Sequence, residues 1–125
     1  MISGSQLHRV AWETALALPG VLRGQPFGPA YDVFKVGGRV FMMTTNVRGV
    51  PVVTLKCEPE YASTLRRQFA TITAGYHMNK KHWTSVAPGA DIHEQLVQEL
   101  VEDAYDLVVD RLPKHKRAVL TDRTE

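Results

Sequence analysis

The sequence predicts an α+β fold in two layers, an antiparallel β-sheet with helices packed on one face. Three observations point there. Two β-rich runs flank the dipeptide Gly37-Gly38, a strong hairpin signal because primed turns need positive φ at both central residues. Apolar residues recur at helical spacing near both ends of the chain. The resulting order, α-β-β-β-α-β-β-α with a final helical turn, groups strands into hairpins and lacks the strand–helix alternation of a parallel sheet.

The first helix spans about Ser5 to Leu18, with Leu7, Val10, Ala11, Ala15 and Leu18 on one stripe. Ser3 or Ser5 is placed to cap it, and Leu18-Pro19-Gly20 stops it. The stretch RGQPFGPA is rich in breakers and predicts an irregular loop around Phe27. The hairpin YDVFKVGGRVFMMTT follows. With Gly37-Gly38 as its turn, Val36 opposes Arg39, Lys35 opposes Val40, Phe34 opposes Phe41 and Val33 opposes Met42. One sheet face then carries Phe34, Val36, Phe41 and Met43, and the other Tyr31, Val33, Lys35, Val40 and Met42.

A turn at NVRG leads to a third strand, VPVVTLKC, with Val53, Leu55 and Cys57 on the core face and Val52, Thr54 and Lys56 on the other. Pro59 opens the next helix, whose Tyr61, Ala62, Leu65 and Phe69 point inward. ITAG and HWTSVA predict two short strands. Asp91 with Glu94 resembles a capping box ahead of a long helix striped by Ile92, Leu96, Leu100, Ala104 and Leu107, widened by Val97, Val101 and Val108. Glu99, Glu102, Asp103, Asp106 and Asp110 form its solvated face. Pro113 begins a short last helix.

At 125 residues the chain is read as a single domain, residues 1–125 with a core of about 5–120. Its 44% hydrophobic and 22% charged residues suit a folded domain and exclude a disordered one. The single cysteine, the lack of a basic-then-apolar start and the lack of a long apolar run predict a cytoplasmic protein without membrane attachment. The net charge of +2 conceals a split. Asp91 to Asp110 holds seven acids and no lysine or arginine, whereas Val21 to Ala90 holds nine bases against three acids. A basic face of that kind attracts polyanions.

The motifs PFGP, VFKVGGRVF, VTLKCEPE, GYHMNKKHW and YDLVVDRLPK occur in that order and resemble the MmcQ/YjbR family of small bacterial proteins, over about Leu7 to Arg117. GYHMNKKHW is the specific piece. The resemblance implies a CyaY-like fold, that of the bacterial frataxin homologue or the secretion chaperones. It also implies DNA binding through a double-wing arrangement of hairpins, with Gly75 to Trp83, Lys35 and Lys56 as the matching positions. One departure is Arg23: the family commonly brings an acid after LPG, so here a basic surface gains.

The stretch AGYHMNKKHWTSV holds two lysines and four rings and no acid. Lys80 and Lys81 can neutralise phosphates, and Asn79 can donate to a phosphate or a base edge. Tyr76, His77, His82 and Trp83 offer faces for base stacking. Alternation also makes Trp83 a buried anchor of the sheet, which leaves only the lysine tip exposed. Lys35 and Lys56 sit mid-strand among apolar neighbours and, with Lys80, Lys81 and Arg39, compose a basic patch; edge protection against aggregation explains them equally well.

No metal or other cofactor is expected, since His77 and His82 stand five apart without HExxH, CxxC or paired carboxylates. Cys57 is the main enzymatic alternative, placed where a helix N-terminus favours thiolate, yet on the core face where cysteine is inert. The expectation is therefore a non-enzymatic, weakly sequence-specific DNA-binding protein using Lys35, Lys56, Tyr76, His77, Asn79, Lys80, Lys81, His82 and Trp83. The alternatives are a protein-interaction or chaperone-like module using Val33, Val40 and Met42, and a small-ligand pocket near Phe27, His77 and Trp83. A monomer is favoured over an oligomer.

Overall fold

The computed structural model describes residues 2–75 and 81–124, with side chains up to residue 120. Helix α1 (Gly4–Leu16) is capped by Ser3, not Ser5. The Ser3 hydroxyl accepts from Gln6 N, and Gln6 Oε1 accepts from Ser3 N, closing a capping box. Leu7, Val10, Ala11 and Ala15 are buried as the stripe predicts.

A short edge strand, β1 (Leu22–Gly24), forms at the start of the segment that sequence alone reads as loop. It pairs antiparallel with β2 (Asp32–Val36), Arg23 opposite Phe34. The Arg23 guanidinium lies over the Trp12 ring at 4.6 Å and over Phe34 at 5.6 Å, and it pairs with Asp32 at 3.1 Å. These tertiary contacts hold a strand that local propensity does not favour.

Strands β2 and β3 (Arg39–Val47) turn at Gly37-Gly38, with φ of 59° and 82°. A side chain at Gly37 would also collide with Leu112, 2.6 Å from where its Cβ would sit. Val36 opposes Arg39 and Lys35 opposes Val40, as predicted, but the register then slips. Phe34 opposes Met42 and Val33 opposes Met43, so the predicted Phe34–Phe41 and Val33–Met42 pairs do not form. A β-bulge makes Phe41 the extra residue, and it lets Phe41 and Met42 both bury fully on the helix side. Met43 consequently moves to the second face and Met42 leaves it.

Strand β4 (Val50–Lys56) follows a tight turn at Arg48-Gly49, then come α2 (Pro59–Gln68), β5 (Ile72–Ala74), β6 (Trp83–Val86), α3 (Glu94–Asp110) and α4 (Lys114–Thr124). The six strands form one antiparallel sheet in the order β1-β2-β3-β4-β6-β5. Helices α1 and α3 pack on each other and on one face of its centre, so the structure is the expected α+β arrangement. Helix α2 lies against the β5 edge; it buries Ala62 and Leu65, but Tyr61 is 38% exposed and does not point inward. Helix α3 is capped by His93, whose Nδ1 accepts from Leu96 N, and not by Asp91. Its buried face uses Tyr105 where the stripe predicts Leu107. Tyr105 meets Phe41 edge-on at 5.7 Å and donates from its hydroxyl to Pro19 O at 2.6 Å, tying α3 to the end of the first helix.

The core joins Leu7, Val10 and Ala11 of α1 to Phe34, Phe41, Met42, Val53 and Leu55 of the sheet and to Leu100, Val101 and Ala104 of α3. Buried beside it, His8 Nε2 donates to Val52 O at 3.1 Å. Burial lowers the His8 pKa from its ordinary 6.5, against the opposing pull of the Val52 and Thr45 backbone and of Asp32. A histidine lowered on folding takes up fewer protons folded than unfolded, so it weakens the fold as the pH drops below 6.5. Urea midpoints measured from neutral to mildly acid pH should fall in the native protein. They should fall less in His8→Gln, which keeps a donor and cannot titrate.

Candidate functional site

Directly paired residues of an antiparallel sheet share a face, so the face away from α1 and α3 can be read from the register. One row crosses all six strands: Gly24, Val33, Met43, Thr54, Ser85 and Thr73. Beside it, on the flank toward the Gly37-Gly38 turn, lie Leu22, Lys35 and Val40 and, further across the sheet, the Lys56–Trp83 pair. Val33, Val52 and Trp83 are buried without joining the main core cluster, which marks a second, smaller apolar layer. Thr54 and Ser85 hydrogen-bond across the strands at 2.9 Å.

Trp83 thus serves as a sheet anchor, on the second face. The Lys56 ammonium stands 5.2 Å from the centre of its ring, a cation–π distance. Burial, and then the like charges of Arg111 and Arg39, lower the Lys56 pKa. Lys116 reaches the same end of the sheet, donating to Gly37 O at 3.2 Å. Lys35 is half-buried next to Leu22, Lys81 is exposed and His82 is half-buried, its carbonyl accepting from Cys57 N at 2.8 Å. Tyr76, His77, Asn79 and Lys80 lie outside the described residues. Gly75, at the foot of that stretch, has no room for a side chain, because a Cβ there would stand 2.6 Å from Trp83 Cβ and 3.0 Å from Trp83 O.

One sequence expectation changes. Arg23 adds nothing to a basic surface, because Asp32 neutralises it and two rings cover it. Phe27 is 69% exposed and Trp83 is buried, and His77, the third residue expected to line a small-ligand pocket, lies outside the described residues. What sequence reading missed is Arg111, an exposed cap residue that the chain's end-to-end turn brings near Lys56 and Arg39; no local motif signals it.

Cys57 is buried, and its thiol is pushed up to about 11 by burial first and then by Asp103 and Glu58. At neutral pH it is a thiol, not the thiolate that nucleophilic chemistry needs. The acids of α3 are exposed, yet burial pushes Asp103 and Asp106 above the usual carboxylate range, helped by Asp106 and Glu99 at the first and Asp110 at the second.

A bulged antiparallel sheet carrying α1 and α3 on one face, with cations gathered at its hairpin end, defines a small α+β protein. Residues 16–107 match the family model described as YjbR. The Escherichia coli O157:H7 protein named "Uncharacterized protein YbdF" is 48% identical over 86% of this chain and 88% of its own length. YjbR of Escherichia coli K12 is 35% identical over 69% of this chain and 73% of its own. Among solved structures, Deinococcus radiodurans protein DR2400, with domain DUF419, superposes with a TM-score of 0.79 at 32% identity, covering 97% of this chain and 89% of that one. A Pseudomonas syringae solution structure superposes at 0.64 and 25% identity, covering 91% and 97%. The chain belongs to the YjbR family, the MmcQ/YjbR group. Among the described residues, no helix is long and apolar enough to cross a membrane.

A carboxyl raised on folding costs stability above its folded pKa, and that cost vanishes as the pH falls below it. Asp103→Asn should therefore raise the urea midpoint at neutral pH. The gain over the native protein should shrink as the pH enters the carboxylate range.

Proposed function

We propose that this protein binds nucleic acid, acting by binding and not by catalysis, through the basic end of its sheet and the neighbouring β5–β6 hairpin. The observation that carries this reading is the convergence of Lys56, Arg39 and Arg111. The charges that act on Lys56 are positive ones, and neither ion pair found among the described residues uses any of the three. Like charges gathered without a counter-ion repel one another, and a phosphate relieves that repulsion while releasing its own bound cations. Lys116 at the Gly37 carbonyl and Lys35 one strand over extend the patch.

Trp83 takes part as a support for Lys56, not as a stacking platform, because it is buried. Lys81 and His82 flank the hairpin, and Tyr76, His77, Asn79 and Lys80 are assigned to the contact by their chemistry and their place in the sequence. Phosphate contacts dominate such a surface, so binding is weakly sequence-specific.

Titrating labelled duplex and single-stranded DNA over several salt concentrations tests the reading. Binding should weaken linearly in log–log form. Arg39→Gln and Lys56→Gln should each lower the slope by about 1 on duplex DNA. No affinity at low salt, or slopes unchanged in both variants, would overturn it.

A second reading, protein contact over the second face, is favoured by the edge-strand Leu22, which is 74% exposed. Light scattering with and without Leu22→Lys checks self-association there; a monomer in both removes that form of the reading.

A further inference from the structure

We infer, resting on the nucleic-acid binding proposed above, that the corner between α3 and α4, residues 111–117, seats the backbone of duplex DNA beside the hairpin end of the sheet. These seven residues hold two arginines, two lysines and a histidine, and no acid occurs from residue 111 to residue 120. Arg111, Lys114, His115 and Lys116 are exposed, and neither ion pair found among the described residues uses them. Helix α4 has no acid in its first turn, so its cations face the positive end of the helix dipole as well as one another. A polyanion relieves both repulsions.

Packing holds this corner in place. Leu112 is buried against Gly37, where the lack of a side chain makes the room, and Leu120 is buried against Gly20. Arg111 N donates to Val108 O at 3.1 Å and Lys116 N to Pro113 O at 3.0 Å, so helical turns run into the corner and out of it. Between the two anchors, Lys116 Nζ donates to Gly37 O at 3.2 Å. That bond uses one of the three donors of an ammonium and leaves two for a phosphate. The corner therefore stands at the β2–β3 turn, where Arg111 acts on Lys56 together with Arg39. Cations carried on docked helices have less freedom to lose when a phosphate arrives. The rings decide the class of nucleic acid. A single strand is held by stacking its bases on exposed aromatic faces. Trp83, the ring among these cations, is buried with the Lys56 ammonium over it, and the corner contains no tryptophan, tyrosine or phenylalanine. A duplex needs no stacking platform. It carries one charge per roughly 1.7 Å of its axis, a density that suits cations gathered from the hairpin, β4 and the corner.

The test is a salt titration of the whole chain on a short DNA duplex and on one of its strands. The duplex should bind more tightly. Lys114→Gln with Lys116→Gln should lower the log–log slope on the duplex by about 2, so the affinity lost between about 50 and 200 mM salt shrinks roughly tenfold. Both side chains are exposed, so the urea midpoint should stay near the native value. Arg9→Gln with Arg67→Gln removes the same charge from exposed positions on α1 and α2 and should leave the slope unchanged. A slope unchanged in the Lys114 and Lys116 variant, while Arg39→Gln or Lys56→Gln still lowers it, overturns the role of the corner and leaves the nucleic-acid reading standing. No duplex binding by the native chain at low salt overturns both. An equal fall in the Arg9 and Arg67 variant reveals an effect of net charge alone and overturns the role of the corner, as does tighter binding of the single strand.

Discussion

Phe41 and Met42 are neighbours in the chain, and both are fully buried on the helix side of the sheet. A regular strand sends neighbours to opposite faces, so only the bulge opposite Phe34 permits this. Much of the structure follows from that one extra residue. Phe41 reaches Tyr105 edge-on, and Tyr105 in turn fastens α3 to Pro19. Met42 stacks in line with Phe34, Leu55 and Thr84, the row on which α1 and α3 lie. Without the bulge, Met42 would leave this row and Phe41 alone would have to fill the core beneath α3.

The same displacement sets what the second face displays. Before the bulge, Lys35 and Val40 keep the register of the Gly37-Gly38 turn; beyond it, Met43 takes the place that Met42 would hold. The second face is therefore mixed, with the buried hydroxyls of Thr54 and Ser85 in its middle, aliphatic groups near β1, and Lys56 on Trp83 at one flank. Its charge is concentrated at the end where the hairpin, the end of α3 and the start of α4 meet.

Helix α3 separates two electrostatic regions. Its last turns present Asp103, Asp106 and Asp110 to a cavity beside α2, while Arg111 immediately after them faces the cations of the sheet. One residue's rotation about the helix end divides an acidic rim from a basic cluster. Lys56 lies at the boundary and belongs to the basic side, because its ammonium is drawn over an aromatic ring and away from the carboxylates. Cys57, next in the chain, faces the acidic side, where burial and carboxylates keep its thiol protonated.

Apart from β1, the element order, the Gly37-Gly38 turn, the core face of β4 and the amphipathic stripe of α3 were legible in the sequence, because hydrophobic period and turn chemistry are local properties. So was the separation of acids and bases along the chain, which is a matter of counting. The bulge was not legible, since VFMM satisfies either register until Phe34, Tyr105 and the helices compete for the same volume. Strand β1 was hidden for a similar reason: its few residues have no strand pattern, and pairing with β2 and the packing of Arg23 on Trp12 create it. Which charges remain available was also decided in three dimensions. Arg23 looks free in the chain and is neutralised by Asp32, whereas Arg111 looks like a helix end and joins Lys56. Local sequence determines where backbone hydrogen bonds and apolar stripes run. Only packing determines which side chains share a space, because burial and Coulomb energy depend on distances that the chain order does not contain.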